Sequence, residues 1–110
     1  MGDKKIRGGA LVARALRDKG IDNVFTLSGG FCNPALEGFM ECQINVINCP
    51  HEQIAGHLAD GHTRISRKPS VCIVGPEGFA NAVPSMMEAW GERSPVIFIT
   101  GSSSLKRQGA

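Results

Sequence analysis

Apolar and polar positions along this chain switch repeatedly between two periods. Leu11, Val12, Ala15 and Leu16 recur as one helical face, and Gly20 offers a C-terminal stop. Val24-Phe25-Thr26-Leu27 follows as a short apolar strand, punctuated by Ser28-Gly29-Gly30. Asn33-Pro34 reads as an N-cap with proline at the first helical position, and Leu36, Phe39 and Met40 follow at helical spacing. Ile44 to Ile47 is the second predicted strand, and Pro50 to Arg67 a long helix with Ile54, Ala55, Leu58 and Ala59 facing inward. Val71-Cys72-Ile73-Val74 is the third strand, broken by Gly75-Pro76-Glu77-Gly78. Val83, Met86, Met87 and Trp90 then repeat at i, i+3, i+4, i+7, the cleanest helical stripe in the chain, and read as core. Pro95 precedes the fourth strand, Val96 to Thr100, and Gly101 with a serine run follows.

The predicted order is therefore α-β-α-β-α-β-α-β. Strands this uniformly apolar are expected to be buried on both faces, as in a parallel sheet flanked by helices, a flavodoxin-like three-layer arrangement. Right-handed crossovers then place all four strand C-termini at one edge. No helix is predicted after the fourth strand, so the expectation is a single, incomplete domain over residues 1–110 with one edge or face left for a partner.

Composition narrows the picture. A hydrophobic share of 42% and a charged share of 20% are ordinary for a globular chain. A net charge of +2 without an arginine-rich patch gives no reason to expect nucleic acid. No apolar run approaches the roughly 20 residues a bilayer span needs. Cys32, Cys42, Cys49 and Cys72 form no Cys-x-x-Cys pair, so no metal site is expected, and reduced cysteines point to the cytoplasm.

Four loops meet the predicted edge: Ser28-Gly29-Gly30, Cys49-Pro50-His51-Glu52, Gly75-Pro76-Glu77-Gly78 and Gly101-Ser102-Ser103. Open α/β sheets bind ligands in such a crevice. Glu52, at a strand-to-helix junction, is the best candidate for a chemically active residue. Each part also has a plain structural reading. Glycine in such loops commonly serves turn chemistry, and a first-turn glutamate commonly serves the helix dipole, worth about 0.3–1 kcal/mol. His57 and His62 read as surface or half-buried residues, and Asp60 as solvating its helix. There is no Gly-x-Gly-x-x-Gly, no Walker lysine motif and no Gly-x-Ser-x-Gly elbow. A non-catalytic flavodoxin-like module, or one that only dimerises, stays open on these residues.

Taken together, Gly8 to Val12, Val24 to Gly30, His51-Glu52-Gln53-Ile54-Ala55-Gly56-His57-Leu58-Ala59-Asp60-Gly61-His62-Thr63-Arg64, Lys68 to Asn81 and Ser94 to Gly101 resemble the N-terminal pyrimidine-binding domain of thiamine-diphosphate-dependent enzymes. The acetolactate synthase-like group is the nearest branch. The resemblance implies a carboligase, lyase or decarboxylase acting on a 2-oxo acid or acyl-CoA substrate. It implies that Glu52 hydrogen-bonds N1′ of the cofactor's aminopyrimidine and favours the tautomer that deprotonates the thiazolium. By the same implication Gly29, Gly75, Pro76 and Asn81 lie near the cofactor ring or the substrate pocket. The usual Gly-x-Pro-Gly after the first strand reads Thr26-Leu27-Ser28-Gly29 here, Glu77 interrupts the loop after Val74, and His62 stands where tyrosine is common. These departures bear on the local pocket, and hence the substrate, but leave Glu52 untouched. The family's Gly-Asp-Gly…Asn signature for Mg²⁺ and diphosphate is absent. The implication is that both are held outside this chain, by a further domain or partner subunit, in a homodimer or homotetramer. FAD elsewhere in a longer parent protein is compatible with the resemblance, and no residue here calls for it.

Overall fold

The computed structural model describes residues 6–27, 32–102 and 106. Helices and strands alternate as α1 (Gly8–Asp18), β1 (Asn23–Leu27), α2 (Asn33–Glu41), β2 (Asn45–Asn48), α3 (Glu52–Ser66), β3 (Ser70–Val74), α4 (Phe79–Gly91) and β4 (Val96–Thr100). The order read from the pattern is borne out, with ends displaced by a residue or two. The third helix starts at Glu52 rather than Pro50 because His51 is its N-cap, and Arg67 ends it in the left-handed region at φ 60°.

All strand pairs are parallel, in the order β2-β1-β3-β4. Val24 lies opposite Val46 on one side and Val71 on the other, and Cys72 lies between Phe25 and Phe98. Alternate residues feed opposite faces. Val24, Val71 and Ile73 pack with Ala13, Leu36 and Phe39 beneath α1 and α2. Phe25, Cys72 and Val74 pack with Ala55, Ala59 and Ala82 beneath α3 and α4. The result is three layers, with the topological switch between β1 and β3. Burial on both faces holds for β3, where all five residues are buried. It fails for β2 and β4, whose residues are mostly exposed or half-buried, because each has one neighbouring strand in the described sheet.

The helical faces depart from expectation in a consistent way. Ala10 and Ala13 point inward on α1, whereas Leu11 and Val12 are exposed. Ala55 and Ala59 point inward on α3, whereas Ile54 and Leu58 are exposed. On α4 the buried residues are Ala82, Ser85 and Ala89; Met86 is half-buried, and Val83, Met87 and Trp90 are exposed, Trp90 by 82%. Met40 of α2 is exposed as well. Close backbone approach is the reason. A Cβ on Gly38 would lie 2.5 Å from the Gly9 carbonyl oxygen, and one on Gly56 would lie 2.6 Å from Cβ of Ser85. Helices this close have room between them for alanine, glycine and serine, so the bulky residues turn outward.

Asp60 also departs from expectation. Its side chain is 6% exposed. Arg64 grips it with Nε on Oδ1 at 3.0 Å and a terminal nitrogen on Oδ2 at 2.9 Å, while also reaching Glu88 at 3.2 Å. Burial pushes the Asp60 carboxyl up, but hydrogen bonds from Arg64 and Ser94 and the Arg64 charge outweigh it and hold it below the ordinary carboxylate range.

Two outcomes follow. Gly38→Ala drives a methyl group into backbone that cannot step aside, and is expected to cost about 1–3 kcal/mol in urea unfolding of the protein carrying this domain. Because its folded carboxyl is depressed, Asp60 stabilises the fold above the unfolded carboxyl range and loses that contribution as pH falls through the folded one. The stability gap between wild type and Asp60→Asn should therefore be full at neutral pH and shrink below about pH 4, measured by unfolding at stepped pH.

Candidate functional site

The strand C-termini share one edge, and the path into Glu52 is fixed there. Past the end of β2, the Cys49 N–H donates to the Thr26 carbonyl at 2.7 Å, which continues the ladder with β1. Cys49 is buried and Pro50 turns the chain. His51 is extended at φ −156° and ψ 147°, and its Nδ1 accepts from the Gln53 N–H at 3.0 Å. The Ala55 N–H donates to the His51 carbonyl at 3.0 Å, closing the first turn of α3. Glu52 is thus the first residue of a helix anchored by Ala55 and Ala59 on the sheet. A carboxylate is electrostatically welcome at that end.

Glu52 is half-buried. Across from it, the turn from β3 into α4 folds on itself: the Gly78 N–H donates to the Gly75 carbonyl at 3.1 Å and the Asn81 N–H to the Gly78 carbonyl at 3.0 Å. Asn81, on the first turn of α4, extends Nδ2 to Glu52 Oε1 at 3.2 Å. The other carboxylate oxygen lies over Gly78. A Cβ there would overlap Oε2 and come within 2.5 Å of Cδ and 2.8 Å of Cγ. Gly78 has φ −92°, which any residue adopts, so close approach of the carboxylate explains the missing side chain.

The described edge therefore joins Glu52 and Asn81 directly. Gly75 and Pro76, both half-buried, open the same turn and reach Glu52 through Gly78. Gly29 lies outside the described residues. Gly101 meets Cys32, the buried residue before α2. Burial pushes the Cys32 thiol up, the Gly101 backbone bond offsets part of this, and Glu77 adds to the rise. Cys72 is pushed up to about 12 by burial and by Cys49, so it is a core residue and a poor nucleophile.

Two roles escaped the sequence reading. Gly78 looked like one more loop glycine; its spacing of three residues from Gly75, across a strand-to-helix turn, was the available signal. The His51 cap was hidden because histidine is not among the usual capping residues. His62 is half-buried, as expected. It packs on Phe25 with ring centroids 5.7 Å apart and approaches Asn23, the first residue of β1, at 3.5 Å. It thus sits towards the opposite end of the strands from Glu52, and its departure from the family pattern does not shape the edge where Glu52 lies.

A carboxylate held from one side by a neutral amide, over a wall with no side chain, can exchange a proton with a ring nitrogen set against it. Residues 6–110 match the family model described as thiamine pyrophosphate enzyme, N-terminal TPP binding domain. The chain is 37% identical over 106 residues to the acetolactate synthase large subunit of Mycobacterium tuberculosis, covering 94% of this chain and 19% of that protein. It is 36% identical over 104 residues to 2-hydroxyacyl-CoA lyase 2 of Danio rerio, covering 93% and 17%. The thiamine diphosphate-dependent 4-hydroxybenzoylformate decarboxylase of Rhodococcus jostii shares the fold with a TM-score of 0.83 at 21% identity, covering 89% of this chain and 19% of that one. The chain spans about a fifth of the length of the curated relatives it matches. On the family match and these identities, the chain belongs to the thiamine pyrophosphate enzyme family, as an N-terminal TPP binding domain.

Proposed function

We propose that this chain is the pyrimidine-binding part of a thiamine-diphosphate-dependent carboligase, lyase or decarboxylase acting on 2-oxo acids or acyl-CoA substrates. The observation that carries the reading is the Glu52 carboxylate at the start of α3, held by Asn81 and set over Gly78. Glu52 holds or moves a proton at N1′ of the aminopyrimidine. Asn81 fixes Oε1 and so orients the carboxylate plane. Gly75 and Pro76 shape the turn that faces the ring, and Gly29, outside the described residues, is assigned to the cofactor on the family resemblance alone. When bound, thiamine diphosphate supplies the nucleophilic carbon and electron sink for making or breaking a bond next to a carbonyl. The residues fit this group, because the acidic side chain faces a wall that carries none.

The diphosphate and Mg²⁺ are assigned to a further domain or a partner subunit, with the site completed in a homodimer or homotetramer. Exposed Ile54 and Leu58 on α3 and exposed Met87 and Trp90 on the neighbouring α4 support such a covering partner. Among the described residues no helix is long and apolar enough to cross a membrane. The free cysteines support a reducing compartment, which we take to be the cytoplasm. No described residue calls for FAD.

Two substitutions in the complete enzyme test this reading. Glu52→Gln should lower kcat by about 10²–10⁴-fold, the range for a lost acid–base group; turnover near wild type would overturn the role of Glu52. Gly78→Ala should push the carboxylate aside and lower cofactor-dependent activity about tenfold or more, with folding stability changed by no more than about 1 kcal/mol. Steady-state kinetics beside urea unfolding separates the two effects.

A further inference from the structure

We infer that His51 is a positioning residue for Glu52 and holds it in place only while its imidazole is neutral. The inference rests on the role proposed above for Glu52. Among the helices described, α3 is the one whose start is closed by a side chain: α1, α2 and α4 have no side-chain cap bond. That cap is spent on the helix that carries Glu52 as its first residue. The bond runs from the Gln53 N–H to His51 Nδ1 at 3.0 Å, so Glu52 is bracketed by acceptor and donor.

The chemistry of the ring adds a condition. A neutral imidazole that accepts at Nδ1 carries its proton on Nε2, and an imidazolium has no acceptor at all. Protonation therefore breaks the cap. It also sets a positive charge at the positive end of the helix dipole. The usual capping residues, Ser, Thr, Asn and Asp, do not change charge between pH 5 and 8, whereas histidine does. His51 is exposed, and no ion pair engages its ring among the described residues. The titratable groups bordering it along the chain are Cys49 before it and Glu52 after it. On the facing β3–α4 turn the charged group is Glu77, whose carboxylate lies against Gly75.

The consequence for Glu52 is geometric. Its carboxylate reaches across to Asn81 at 3.2 Å and rests over Gly78, and both contacts depend on where the first turn of α3 begins. Loosening that turn lets Glu52 leave the pose without unfolding the helix behind it, because Ala55 and Ala59 remain packed on the sheet.

The test uses the complete enzyme with His51→Asn, which keeps a capping oxygen that does not titrate, and His51→Ala, which removes the cap. Deuterium exchange of the Gln53 amide is followed without cofactor from pH 8 to pH 5 and corrected for the intrinsic pH dependence of exchange. Wild type should lose protection several-fold across this range. His51→Asn should stay nearly flat, and His51→Ala should be about fivefold less protected already at pH 8, the size of one lost cap. The half-saturating concentration of thiamine diphosphate should follow the same order, with His51→Asn outperforming wild type at the acid end. Wild-type protection in His51→Ala, or a wild-type pH slope in His51→Asn, would overturn the inference. Glu52→Gln separates it from the reading beneath it. If that variant stays active the assignment of Glu52 fails, whereas the exchange profile judges the His51 cap by itself.

Discussion

Parallel neighbours on both sides of β1 govern this molecule. A parallel pair cannot be closed by a tight turn, so each connection has to cross a full layer and return to the starting edge. From β1 the chain crosses through α2 to β2, and from β2 it crosses back through α3 to β3. The first crossover runs outward from β1 and the second runs back past β1 in the opposite direction, which puts helices on both faces and opens a crevice at the strand C-termini. Glu52 lies at that edge because it is the first helical residue after β2, and Asn81 because it lies on the first turn after β3. Their contact at 3.2 Å is a product of topology before it is one of chemistry.

The same helices are held close to one another by small residues. Gly9 against Gly38 on one face, and Gly56 against Ser85 on the other, let backbones approach to distances that no larger side chain permits. The cost is that the bulky apolar residues of α3 and α4 face outward. Ile54, Leu58, Met87 and Trp90 are then available for a partner while the sheet below them is already covered by alanines. One packing choice therefore makes both a tight domain and an exposed apolar surface.

Periodicity made the elements and their order legible, and the strand-to-helix junctions made Glu52 and the Gly75–Gly78 loop candidates, whereas Asn81 was named by the family resemblance alone. The inward faces were not legible in the same way. Period 3.6 says which residues align, but α4 carries two arcs that satisfy it, Val83–Met87–Trp90 and Ala82–Ser85–Ala89, and hydrophobicity alone favours the wrong one. The deciding information is the interhelical distance, which depends on a glycine or serine elsewhere in the chain. Asp60 misled for a related reason: its partner Arg64 was visible four residues on, but its burial against the Ser94 segment was not. Gly78 read as a turn residue because its reason lies in a carboxylate 26 positions earlier.

The pose of Glu52 also assigns different tasks to its two oxygens. Asn81 donates to Oε1 and has no proton to give up, so that oxygen remains an acceptor throughout. In the role proposed for Glu52, the proton is exchanged at Oε2, on the side of Gly78. In the proposed role the amide does more than hold the side chain: it makes the two carboxylate oxygens unequal and favours proton exchange at the one it does not touch. A glutamate that served the helix dipole alone would need neither the amide on one oxygen nor the bare glycine beneath the other. The pairing of these two features across separate crossovers argues for chemistry at Glu52 over capping.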